Sequence, residues 1–171
     1  MTQWTDGGDY FVEVWFAVEP DHDGYPENVR WEQLLSRPIA EDVNVFRLDS
    51  VPYFLRDVSL GDIVRAEVRV DCEINDAYVF ETVIERGGHN TYRLLLKDLR
   101  DGDPDDTVDE LVKRGLAVEI QHGDFIAVEL PPTVDQEAID GYLVGESKAG
   151  RWALQHGCIQ TVQFDADRSM E

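Results

Sequence analysis

The first half of the chain alternates apolar and polar positions with the two-residue period of half-buried strands. Residues 10–18 (YFVEVWFAV) are aromatic and β-branched, which suits a strand better than a helix. Residues 31–36 and 43–48 predict a short strand pair around a connection at 38–42, and residues 21–26 (DHDGYP) predict a loop. From 64 to 71, Val64, Ala66, Val68 and Val70 fall on one side and Arg65, Glu67, Arg69 and Asp71 on the other. Asn75-Asp76 marks a turn, and residues 78–85 return as a strand. Five or so strands with short connections predict a β-rich small barrel or strongly curved sheet over residues 1–88.

The rhythm changes from Thr91 onward. Residues 91–97 predict a strand and residues 98–106 (DLRDGDPDD) an acidic loop. Thr107 with Glu110 gives a capping box, and Val108, Leu111 and Val112 give the following helix an apolar stripe that Gly115 ends. Residues 116–122 and 125–130 alternate as strands around Gly123-Asp124, and Pro131-Pro132 stops the second. Thr133 with Gln136 predicts another capped helix, with Ile139, Tyr142 and Leu143 inward, and residues 151–156 a last strand. The order β-α-β-β-α-β predicts a ferredoxin-like sandwich over residues 89–163, with sheet order 4-1-3-2 counted from Thr91. Residues 164–171 predict a flexible tail. The fold class is therefore α+β.

Composition narrows the setting. The chain has 171 residues, 43% of them hydrophobic, enough for one or two small domains with a core. No run reaches the ~18 apolar residues of a membrane span, and a cytoplasmic location is expected. Cys72 and Cys158 fit no metal spacing and no disulfide framework. Thirty-six acidic residues face fifteen basic ones, for a net charge of −21, and Lys97, Lys113 and Lys148 are the lysines. That balance opposes nucleic acid and anionic membranes as partners. Three explanations compete: solubility, adaptation to a salt-rich cytoplasm, and a basic protein partner drawn in by the negative field.

Candidate chemistry gathers at a glycine turn, Glu85-Arg86-Gly87-Gly88-His89-Asn90-Thr91-Tyr92-Arg93. On an extended segment His89, Thr91 and Arg93 share a face at about 6.6 Å per step. An imidazole, a hydroxyl and a guanidinium in a row can hold a carboxylate or phosphate. Gly87-Gly88 can present backbone N–H groups, Glu85 can orient His89, and Asp62 can pair with His89 or Arg93 if the two turns meet. The bland alternative is a solvent-facing strand after a glycine turn. Asn90 belongs to the same candidate ligand-binding set. His22, His122 and His156 lack a third ligand, so no metal is expected. No nucleotide loop, nucleophile elbow or zinc motif is present, and no cofactor is expected.

Val51-Pro52-Tyr53-Phe54, Ser59-Leu60-Gly61-Asp62-Ile63-Val64 and the glycine turn through Arg93 resemble a bacterial family of unknown function. It is the domain-of-unknown-function family four-two-six-five. Weaker traces continue in Val128-Glu129-Leu130-Pro131-Pro132 and Gly150-Arg151-Trp152, so the likeness covers about residues 31–158. The family pattern favours a serine where Gly87 stands. The resemblance implies a shared fold and a shared polar turn, and it implies no activity. Three functional readings follow, in order. The first is a non-enzymatic binding or regulatory protein, the second an immunity-type protein neutralising a basic partner. The third is an enzyme with His89 as acid or base, Asp62 or Glu85 orienting it, and Arg93 holding a small anionic ligand or substrate.

Overall fold

The computed structural model describes residues 10–20, 26–39, 43–70, 77–97 and 104–160, with His122 described in backbone alone. The turn expected at Asn75-Asp76, most of the acidic loop at 98–106, the tail at 164–171, His22 and Cys72 lie outside the described residues. What is described is an α+β protein of two sheets and two helices.

The first sheet holds β1 (Val12–Ala17), β2 (Trp31–Pro38), β3 (Val45–Leu48), β4 (Ile63–Arg69) and β5 (Ala77–Glu85). Its neighbours pair antiparallel in chain order, and β1 returns to pair parallel with β5 through Val14↔Tyr78 and Trp15↔Val79, closing the ring. Side chains of one parity fill the interior: Val14 and Phe16 from β1, Leu34 from β2, Phe46 and Leu48 from β3, Val64 and Ala66 from β4. Leu55 and Val58, from the connection between β3 and β4, join this core. The alternation read from the sequence places Val64, Ala66, Val68 and Val70 together. Val64 and Ala66 are buried, but Val68 and Val70 are exposed. The pairing of β4 with β5 slips between Arg65 and Ala66, and the strand ends at Arg69, so its far end overruns the core.

The second sheet holds β6 (Asn90–Leu96), β7 (Ala117–His122), β8 (Phe125–Leu130) and β9 (Trp152–His156), in the order β7-β8-β6-β9. All three pairings are antiparallel, and counted from β6 this is the expected 4-1-3-2 order. Helix α1 (Pro104–Lys113) and helix α2 (Gln136–Lys148) cover one face. Tyr92, Leu94 and Leu96 of β6, Ile126, Val128 and Leu130 of β8, and Trp152 of β9 pack there against Leu111 and Leu143. Each fully buried side chain of this size contributes about 1.5–3 kcal/mol.

Both helix starts differ from expectation. Thr107 is an interior, buried residue of α1, which opens at Pro104, a residue suited to a first turn because it has no N–H to satisfy. Asp135, not Thr133, caps α2, its Oδ1 accepting from Ala138 N at 3.0 Å. Gln136 is thereby released from any capping box and reaches elsewhere.

Candidate functional site

The face of the second sheet opposite the helices meets the β3–β4 connection of the first. Strand parity puts Thr91 and Arg93 of β6 and Glu129 of β8 on that face, and all three are buried. Several bonds stitch the seam. Val51 N donates to Glu119 Oε1 of β7 at 3.0 Å, Arg93 Nη2 donates to the Leu55 carbonyl, and the hydroxyls of Ser59 and Thr91 lie 2.8 Å apart.

Asp62 is the hub on the first-sheet side. It is wholly buried, and a buried carboxylate is tolerated when donors surround it. Oδ1 accepts from Gly87 N at 2.8 Å and Gln160 Nε2 at 2.8 Å. Oδ2 accepts from Arg86 Nη1 at 3.0 Å, Ser59 N at 3.1 Å and Gln160 Nε2 at 3.0 Å. Gly87 must be glycine here, because a Cβ would stand 2.7 Å from the Gly61 carbonyl carbon. Any side chain here, serine included, would lack room against this backbone.

His89 and Thr91 converge on Glu129. Nδ1 of His89 lies 3.1 Å from Oε1, a contact of proximity and charge without the alignment of a good hydrogen bond. Thr91 Oγ1 donates to Oε2 at 2.9 Å. With that proton committed, Ser59 donates to Thr91, giving a relay from Ser59 through Thr91 to Glu129. Burial pushes the Glu129 carboxyl up from its ordinary value; the His89 and Thr91 contacts pull it down, and the Asp62 charge adds to the rise. The imidazole lies against Gly61, where a Cβ would meet Nε2 at 3.2 Å.

The remaining candidates have different surroundings. Asp62 pairs with Arg86, while His89 lies against Glu129 and the Arg93 guanidinium reaches the Leu55 carbonyl. Glu85 stands exposed on β5 with no hydrogen bond or ion pair to His89, so it does not orient that ring. Asn90 is buried: Nδ2 donates to Gln136 Oε1 at 3.1 Å, and Oδ1 accepts from Gln160 N at 2.6 Å. Gln136 in turn donates to the carbonyls of Gly88 and Leu130.

Four members of this polar cluster had no role assigned from the sequence: Ser59, Arg86, Glu129 and Gln160. Glu129 carried a usable signal, a carboxylate amid the apolar run FIAVEL. A fifth is Glu32, whose buried carboxylate accepts from the backbone N–H groups of Tyr53, Phe54 and Leu55 and pins the Pro52-Tyr53-Phe54 turn. Burial raises its pKa, while the three amides and the Arg93 charge oppose the rise.

Beside the hub opens a groove of about 590 Å³, lined by Arg56, Asp57, Arg86, Gly88, Cys158, Ile159 and Gln160. The Arg86 side chain is half exposed, and its Nη1 also donates to the Asp57 carbonyl and lies 3.9 Å from Cys158 Sγ. Cys158 is a buried free thiol. Among the described residues, no group of three or more His, Cys, Asp or Glu side chains is placed to hold a metal ion.

The fold and site together define an α+β protein with a polar, hydrogen-bonded seam between two sheets and an arginine-lined groove at its edge. The chain belongs to the family described as domain of unknown function (DUF4265), whose pattern matches residues 32–154. Among solved structures it is similar to a hypothetical protein from Neisseria gonorrhoeae, with a TM-score of 0.68 and 18% identity, over 90% of this chain and 98% of that one. That likeness is one of fold. No protein of curated function matches. No helix among the described residues is long and apolar enough to cross a membrane.

Proposed function

We propose that this is a non-enzymatic binding protein that takes a small anionic ligand, carboxylate or phosphate, in the groove at the seam. In this reading a small barrel (residues 1–88) packs on a ferredoxin-like sandwich (residues 89–163) in a cytoplasmic protein, and the groove lies where the two meet. The observation that carries it is that Arg56 and Arg86 both line the groove in a chain of net charge −21. Arg86 is already anchored by Asp62 and the Asp57 carbonyl. A guanidinium held in place loses less freedom when it meets an anion, and its planar fork suits a carboxylate or phosphate. Gly88 adds no side chain to obstruct the approach.

A second reading, an enzyme, draws on the His89–Glu129 contact, which resembles an acid–base histidine oriented by a carboxylate. It differs in needing a substrate at His89, which does not line the groove.

The test is thermal denaturation at constant ionic strength with inorganic phosphate, sulfate and malonate. At least one should raise Tm in the wild type by several degrees at concentrations well above its Kd. Arg56→Gln, which leaves the Asp62 hydrogen bonds in place, should lose that response. Equal responses in the two proteins, or none in either, would overturn the proposal.

A further inference from the structure

The groove and the His89–Glu129 contact share one rigid segment of chain. Arg86 and Gly88 line the groove, Gly87 N binds Asp62, Gly88 N donates to Gln160 Oε1 at 2.8 Å, and the next residue is His89. Two carboxylates lie behind this segment, both fully buried: Asp62 from the turn before β4 and Glu129 from β8. The cations in contact with them are Arg86, which follows β5, and His89 when protonated; Arg93, on the same face of β6 as Thr91, reaches the Leu55 carbonyl, and its charge acts on the buried Glu32. The other polar groups packed here, Ser59, Thr91 and Gln160, are uncharged; Cys158 contributes a thiol, and Asp57 and Arg56 sit on the groove wall.

The charge count depends on one proton. With His89 neutral and both carboxyls ionised, Arg86, Asp62, Glu129 and His89 together carry −1. With His89 protonated the cluster is neutral. An incoming anion meets repulsion in the first state that is absent in the second.

We infer that anion binding in the groove is linked to protonation of His89, so that the site fills as pH falls and empties as it rises. This rests on the groove reading above and gives the buried pair a role in it. The sign follows from Coulomb's law: one positive charge gained behind the groove, at a separation on the order of 10 Å and an effective dielectric of about 40–80, strengthens binding of a divalent anion about tenfold. Linkage is reciprocal, so a bound anion must favour the protonated imidazole by the same factor.

Sulfate is the probe of choice because its own charge does not change across the range in which histidines titrate. Its Kd, measured calorimetrically at constant ionic strength, should fall about tenfold between pH 8 and pH 5.5. His89→Gln should flatten that profile while Arg56→Gln weakens binding at every pH. Since His89→Gln can disturb the seam, the wild type supplies a second readout: the NMR titration midpoint of the His89 ring should rise by about one pH unit when sulfate saturates the groove. His156, which lies 3.9 Å from Asp140 on the helix-covered side, should not move. Sulfate binding with a pH-independent Kd and an unmoved His89 midpoint would overturn the linkage and leave the groove standing. No sulfate binding at any pH would overturn both.

Discussion

Gly87→Ala is the sharpest perturbation the seam offers. The added Cβ would stand 2.7 Å from the carbonyl carbon of Gly61, 2.9 Å from its oxygen and 3.1 Å from Asp62 N. All three are backbone atoms, so no side chain can swing aside. Forced separation of the two turns costs about 1–3 kcal/mol, as overpacking does elsewhere. It also lengthens the 2.8 Å bond from Gly87 N to the Asp62 carboxylate, a charged hydrogen bond of about 1.5–3 kcal/mol. The two losses overlap, and about 3–5 kcal/mol is expected in all. For a chain of this size that lowers Tm by about 10 °C, at roughly 2–4 °C per kcal/mol. Gly123→Ala is the control, because a Cβ there meets nothing within 4 Å and should change stability by no more than about 0.5 kcal/mol. Urea titrations followed by circular dichroism measure both. A Gly87→Ala protein within about 0.5 kcal/mol of wild type would show that the turns are not in close contact, and the account of the seam would fail with it.

Three other outcomes are expected. Asp62→Ala strips a buried carboxylate from Arg86, Gln160 and two backbone amides, and should cost about 3–5 kcal/mol in urea unfolding. Hydrogen bonds from Arg151 (2.6 Å) and Tyr142 (2.6 Å) hold the Glu110 carboxyl down to about 2 from its ordinary 4.5. A depressed carboxylate stabilises the fold above its unfolded value and loses that contribution as pH falls through its folded one. The stability gap between wild type and Glu110→Gln, discounted to about 0.5–1 kcal/mol for a partly exposed group, should therefore be present above pH 4.5 and close towards pH 2. If the acidity reflects adaptation to salt, molar KCl should raise Tm by several degrees through screening of carboxylate repulsion, and a flat melting curve from low to molar salt would exclude that explanation.

Strand parity and hairpin chemistry were legible because they are local. Thr91 and Arg93 could be placed on one face from spacing alone, and the hairpin at Gly123-Asp124 follows from the alternation on either side of it. The pairing of acid with base was not legible, because it depends on which segments meet. Asp62 and Arg86 are 24 residues apart, and Asp62 and Gln160 are 98 apart. Asp62 was expected to pair with His89 or Arg93; instead it joined Arg86, whose position before Gly87 brings the guanidinium over the turn. Glu85, on the other side of that arginine, lies on the outer surface of the closed sheet. The helix caps failed for a related reason. Thr107 and Gln136 have the right local spacing, but each has a tertiary partner: Arg151 Nη2 at 3.5 Å from the Thr107 hydroxyl, and Asn90, Gly88 and Leu130 around Gln136. Tertiary bonds displaced the capping box in both places.

The segments that carry the family resemblance meet at the seam. Residues 51–54 form the turn pinned by Glu32, residues 59–64 supply Ser59 and Asp62, residues 85–93 supply Arg86, Gly87, His89 and Thr91, and residues 128–132 supply Glu129. A purely apolar interface between two sheets would tolerate sliding, since hydrophobic contact is not directional. Buried carboxylates do not, because every donor must arrive within about 3 Å or the uncompensated charge costs several kcal/mol. Asp62 accepts across the seam from Gln160, Val51 N donates to Glu119, Ser59 meets Thr91 and Arg93 reaches the Leu55 carbonyl, so the sheets satisfy these groups in one relative position. On the proposed reading, that rigidity would hold Arg86 oriented for an anion, and the charge on His89 would act on the groove through space, without movement of the chain.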